Sequence, residues 1–198
     1  MAPLPARVAG ECLDAAALLP RQQAPPLRAL LFLVLSFATL IRASSAVPLA
    51  WDDVVLKGAH VMVRPKVIKG GQLKAVLPKP KLLPILDGLR ALPQLLNNWK
   101  HAQAVAFSAA RLTQPPPGAP SSFWLLPGDD VRYDSVVATE WLQQACAHVR
   151  ARPPMGGKFT SHSCRKGGAS AAFAVGVTLP DLCALGDWAD GSGVPMKH

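Results

Sequence analysis

Phe159-Thr160-Ser161-His162-Ser163-Cys164-Arg165-Lys166-Gly167-Gly168-Ala169-Ser170, followed by Ala184-Leu185-Gly186-Asp187-Trp188, is the stretch around which this chain is organised. His162 and Arg165 stand three residues apart at the expected start of a helix. An imidazole and a guanidinium therefore share one face and can converge on a single anion. Ser161 or Ser163 is expected to cap that helix, which runs through residues 169–175 and stops at Gly176. Thr178-Leu179-Pro180-Asp181 opens the next helix with a hydroxyl at the N-cap and a carboxylate three residues on, and Gly186 marks its end. Two helices are thus expected to carry Arg165 and Trp188 toward one region.

Working outward, residues 135–150 place Val136, Val137, Trp141, Leu142, Ala145, Cys146 and Val149 close to the i, i+3, i+4, i+7 spacing of an amphipathic helix. Residues 82–96 read as helical despite Pro84 and Pro93, and 99–112 extend that region up to a loop, 113–122, that holds four prolines. Residues 47–56 and 60–64 read as short strands joined by the turn Lys57-Gly58-Ala59. Lys69-Gly70-Gly71 then leads into an alternating third strand at 72–77. Together these make a small antiparallel sheet with a basic hairpin. There is no internal repeat.

Residues 29–41 form an apolar run of 13, flanked by Arg28 and Arg42. A spanning helix needs about 20 apolar residues, and a secretory apolar region should lie nearer the N-terminus, so a buried core helix is expected. The small residues Ala43-Ser44-Ser45-Ala46 mimic a cleavage site and keep a secreted or membrane-associated protein as an alternative. Residues 1–27, punctuated by Pro3, Pro5, Pro20, Pro25 and Pro26, read as a largely disordered Pro/Ala-rich leader around one short helix near 11–19.

At 198 residues the chain is long enough for one domain with its own core. Its four cysteines are scattered and form no C-x-x-C pair, which suggests neither a zinc site nor a disulfide framework. A formal charge of +9 points to a polyanionic partner, since each basic side chain set against a phosphate releases condensed counterions. A basic solubilising surface would carry the same charge.

The order and spacing of these elements resemble the catalytic domain of the tyrosine recombinases, the phage-integrase family, and among them the integrase-like proteins of eukaryotic mobile elements. That family carries an arginine on a first helix, a lysine on a β-hairpin, His-x-x-Arg at a later helix start, a His or Trp one helix further on, and then a tyrosine nucleophile. Arg42 takes the first place, in the run from Leu40 into Val54. Lys66 takes the second, with Lys69 close behind it. His162, Arg165 and Trp188 take the next three. The resemblance covers residues 28–198, nearly the whole chain. Ser45 stands where many members have an acidic residue. The only tyrosine, Tyr133, precedes the His-x-x-Arg motif, and none follows Trp188.

The resemblance implies a mostly helical α+β domain that binds double-stranded DNA and uses no metal or organic cofactor. It implies that Arg42 and Arg165 offset charge on the non-bridging oxygens of a phosphodiester, that the hairpin lysine reaches the leaving oxygen, and that His162 exchanges a proton or bonds the phosphate. Trp188 would donate its indole N–H and pack the nucleophile's helix. Without a tyrosine after Trp188, such a domain is expected to be catalytically impaired, a catalytic fragment cut short at its nucleophile. The alternative is a non-catalytic DNA-binding or interaction module on the same scaffold. Family members assemble as tetramers by docking a C-terminal helix into a neighbour, and the chain stops short of it, so a homo-oligomer on DNA is doubtful. A nucleus is the expected compartment, with a bacterial cytoplasm as the alternative. Taken singly, each residue has a plainer reading: Arg42 as a helix-end arginine, Lys66 as a turn lysine, Trp188 as a core aromatic.

Overall fold

A computed structural model of the chain describes residues 2–20, 23–57, 60–65, 81–84, 91–110, 123–129, 135–154 and 156–188. Its centre is a helix that is apolar on every side. Helix α2 (Ala24–Thr39) buries each of its residues 27–36, Arg28 and Ser36 included, around the unbroken apolar run 29–35. It packs against α1 (Ala6–Leu18), α4 (Leu92–Ala109), α5 (Ser135–His148) and α6 (Ser163–Ala174). Among the described residues, no helix is long and apolar enough to cross a membrane.

The N-terminal segment corrects the expectation of a largely disordered leader. Val8, Ala9, Cys12, Leu13 and Ala16 line one face of α1 and are buried in the same core as α2. The prolines lie outside this helix, with Pro5 as its N-cap, so they bound the element and leave its interior intact. Ahead of it, the Ala2 and Leu4 N–H groups donate to the Lys158 and Ser163 carbonyls at 3.2 and 3.0 Å.

After α2 come the single turn α3 (Ala43–Ala46) and a 3₁₀ turn (Trp51–Asp53). The first strand therefore starts later than expected, at β1 (Val54–Lys57), because the buried Asp53 carboxylate accepts from the Ala50 N–H at 2.9 Å and closes a turn there. β1 pairs antiparallel with β2 (His60–Val63), which pairs antiparallel with β3 (Lys81–Pro84). The strand expected at 72–77 lies outside the described residues. The helix expected from residue 82 begins at Leu92 instead. Pro84 has no N–H to give and sits on the edge strand β3, whereas Pro93 occupies the first turn of α4, where no N–H is needed.

Indole N–H groups fasten the segment 123–129 into the core. Trp99 donates to the Phe123 carbonyl at 2.6 Å and Trp124 to the Ala46 carbonyl at 2.8 Å. Trp51 donates to Gln103 Oε1 at 2.7 Å, and Gln103 Nε2 donates to the Leu125 carbonyl at 2.6 Å. Phe32 meets Trp124 and Trp141 edge-on, with centroids 5.5 and 5.2 Å away. Arg28, buried on α2, lies over the Trp141 ring and donates to the Trp124 carbonyl and the Asp129 carboxylate. The sequence reading did not single out this arginine.

Candidate phosphate-binding site

Three of the residues singled out in the sequence come together where the ends of α2 and α7 (Leu179–Gly186) meet the first turn of α6. Leu40 closes α2 in the left-handed conformation, φ 53°, and Asp187 closes α7 in the same way, φ 52°. Both helices thus present carbonyl oxygens to the same place, where their dipoles favour a cation.

Arg165 occupies it. Its Nη1 donates to the Leu40 carbonyl at 2.6 Å and its Nη2 to the Gly186 carbonyl. The guanidinium carbon lies over the Trp188 ring, 3.9 Å from the centroid. Arg42 approaches from the residue pair after α2, and its Nη2 donates to the Asp187 carbonyl at 3.3 Å. The backbone of residues 186–187 therefore holds both arginines. Arg42 thus has a carbonyl partner on α7, while Ser45, at the position where relatives of the expected family are often acidic, is buried.

Burial and the charge of Arg42 push the pKa of Arg165 down, to about 10, against a smaller upward pull from Asp187. It stays protonated at neutral pH. Two guanidiniums that repel one another in a partly dry site are a receptor for an anion with several oxygens. Two of the five N–H groups of Arg165 are committed to carbonyls.

His162 is the N-cap of α6 and is exposed, with Nδ1 3.3 Å from the Ser161 hydroxyl. Neither Ser161 nor Ser163 caps the helix in the way expected. Ser163 is already its first residue, and the Ser163 hydroxyl instead accepts from the Thr160 N–H at 2.9 Å. Lys66 and Lys69 lie outside the described residues. Among those described, no group of three or more His, Cys, Asp or Glu side chains is arranged to hold a metal ion.

Two glycines set how closely α6 approaches its neighbours. A Cβ on Gly167 would overlap the Leu4 main chain, and one on Gly168 would overlap the Phe37 carbonyl and the Leu40 side chain. Below Trp188, a small apolar cluster of Leu40, Ala169 and Leu182 joins α6 to α7.

No protein-family model and no curated protein matches the sequence. The fold does have counterparts. It is similar to the XerH site-specific recombinase bound to its difH substrate in a pre-cleavage complex, with a TM-score of 0.67 and 13% identity over 96% of this chain and 48% of that one. The post-cleavage complex of XerH with palindromic difH gives the same TM-score and identity over 96% and 47%. The XerA recombinase gives 0.56 and 16% over 100% and 59%. The chain spans about half the length of these proteins. Its fold is that of a tyrosine recombinase catalytic domain, mostly helical with one small antiparallel sheet.

Proposed function

We propose that this chain is a tyrosine recombinase-like, DNA-binding domain of the phage-integrase type, of the kind found in eukaryotic mobile elements, and that Arg42 and Arg165 hold one phosphate of a duplex. The observation that carries this reading is the placement of both arginines on the carbonyls of residues 186–187, within the recombinase fold. Guanidiniums serve here because their donors are planar, permanently protonated and able to bind two phosphate oxygens at once.

In such a domain negative charge builds on the non-bridging oxygens during in-line attack, and the two arginines offset it. Lys66, or Lys69, protonates the leaving 5′ oxygen, and the exposed His162 exchanges a proton with the attacking hydroxyl or bonds the phosphate. Trp188 acts through Arg165, whose guanidinium it covers. No tyrosine follows Trp188 in this chain, so a covalent phosphotyrosyl intermediate requires a tyrosine from elsewhere. The chain by itself binds DNA and is catalytically impaired. The neighbours whose structures contain a difH substrate support a DNA partner. A nuclear site of action belongs to the same proposal.

The test is duplex binding followed across a salt series, combined with a covalent-trapping assay on supercoiled DNA. Affinity should fall steeply with salt, and Arg42→Ala and Arg165→Ala should each weaken it and flatten the slope by about one phosphate contact. Salt-insensitive binding, or none, refutes the DNA reading. Efficient phosphotyrosyl formation by this chain refutes the impairment. A second reading is a non-catalytic DNA-binding module on the same scaffold. On that reading the arginine variants lose binding and no strand is cut, even when a tyrosine-bearing partner is added.

A further inference from the structure

We infer that Gly186 is a positioning residue for Arg165, because its bare Cα lets the Trp188 ring fold back and cover the guanidinium.

A glycine at a helix end is ordinarily explained by a left-handed backbone. That explanation fails here. The left-handed residue closing α7 is Asp187, and the glycines with positive φ are Gly128, Gly156 and Gly176. Gly186 sits in the last helical position with a backbone that any residue adopts. What it cannot accept is a side chain. A Cβ at 186 would overlap Cζ3 and Cε3 of the Trp188 ring.

The ring therefore packs closely on the Gly186 backbone and also covers the Arg165 guanidinium, 3.9 Å from its centroid. The turn that folds it back is fixed by the Trp188 N–H, which donates to the Cys183 carbonyl at 2.9 Å. Gly186 also offers its own carbonyl to Arg165 Nη2. One residue thus supplies an acceptor for the guanidinium and the space for the ring that stacks on it. A methyl group there would displace the ring from its place over Arg165, which is itself buried and held against the Leu40 carbonyl.

Helix propensity and ring overlap predict opposite signs for Gly186→Ala. Propensity alone makes the substitution stabilising, because alanine is the better helix former. Overlap makes it destabilising, but only while the indole is present. The experiment is a double-mutant cycle of Gly186→Ala and Trp188→Ala in the full chain, read by urea denaturation. Gly186→Ala should lower the urea midpoint in the native background and leave it unchanged or raised in the Trp188→Ala background, where the variant also regains folding if the single substitution prevents it.

The second readout rests on the phosphate reading above. Gly186→Ala should weaken duplex binding about tenfold and reduce the salt slope by about one contact, as Arg165→Ala does. Equal shifts of the urea midpoint in both backgrounds overturn the inference, since the effect would not pass through the ring. Reversal of sign with an unchanged salt slope overturns the positioning of Arg165. If the native chain binds no duplex, the DNA reading fails by itself, and Gly186 is then judged by the sign reversal and by whether sulfate raises the urea midpoint of the native chain more than that of Gly186→Ala.

Discussion

The Arg165 guanidinium is covered by the Trp188 ring at 3.9 Å while its Nη1 donates to the Leu40 carbonyl at 2.6 Å, so one cation ties the end of α2 to the second residue past α7. A stacked pair in a partly dry site contributes about 1–2 kcal/mol. Trp188→Ala should cost at least this, with a further loss from the apolar cluster beneath it, and Trp188→Phe about half as much. Urea denaturation followed by circular dichroism measures both. Equal losses for the two variants would show that a π face at this position does not by itself stabilise the guanidinium, against this argument.

Gly167 and Gly168 differ in what they face, and their alanine variants should differ accordingly. Alanine gains helix propensity at both positions, up to about 1 kcal/mol. At 168 the added methyl meets the Phe37 carbonyl of the central helix, which cannot move without disturbing the core, so Gly168→Ala should lose about 2–3 kcal/mol net. At 167 it meets the Leu4 main chain, which lies ahead of α1 and can swing away at the expense of the buried Leu4 side chain. Gly167→Ala should therefore lose less, about 1–2 kcal/mol. Thermal unfolding of both variants ranks them, and the reverse order would contradict the packing described.

Arg28 and Asp129 form an ion pair of unequal burial, with side chains 10% and 30% exposed. Asp129→Asn keeps the shape but leaves a buried guanidinium without its counter-charge, and should cost about 3 kcal/mol. Arg28→Met removes the buried charge and leaves Asp129 where water reaches it, so the loss should be smaller. A shift in denaturation midpoint at unchanged slope identifies the effect as one on stability. Arg28→Met as the costlier change would assign the pair's contribution to its geometry, against this argument.

Cys12, Cys146 and Cys164 lie far apart in sequence yet gather in one core from α1, α5 and α6. Burial pushes the Cys12 thiol from 9.0 up to about 12, helped by Cys146 and Glu11. Burial likewise raises Cys146 to about 11, and it raises Cys164 as well, with Cys146 and Cys12 adding to the effect. All three should resist alkylation at pH 8 in the folded chain and react once it unfolds. The linkage has a definite sign. Between about pH 9 and pH 12 the unfolded chain releases thiol protons that the folded chain keeps, so stability is full below that window and falls as pH rises through it. Cys12→Ala should flatten that decline, and an unchanged pH profile would refute the assignment.

Much of this chain is determined by local pattern alone. The run at 29–41 is too short for a membrane and too apolar for a surface, so it becomes the core helix α2, and the periodicity at 135–150 yields α5 almost to its ends. Thr178 and Asp181 cap α7 from side chains three residues apart, with Thr178 Oγ1 accepting from the Asp181 N–H at 3.3 Å. These outcomes depend on hydrogen bonds and burial within one element, and a sequence records those directly. Arg42, Arg165 and Trp188 stood out as a set only through the family resemblance.

Tertiary structure alone decided what those residues touch. The carbonyls of Leu40 and Gly186 lie far apart in the chain, and the close contact between Gly186 and the Trp188 ring goes with the left-handed turn at Asp187. The docking of α1 was hidden because an alanine-rich face gains its apolar character from the partner it meets. The site of α4 and the edge strand β3 turned on two prolines whose meaning depends on which neighbour lacks a donor. Backbone carbonyls carry no residue identity, and so the acceptors that hold both arginines leave no trace in the sequence that encodes them.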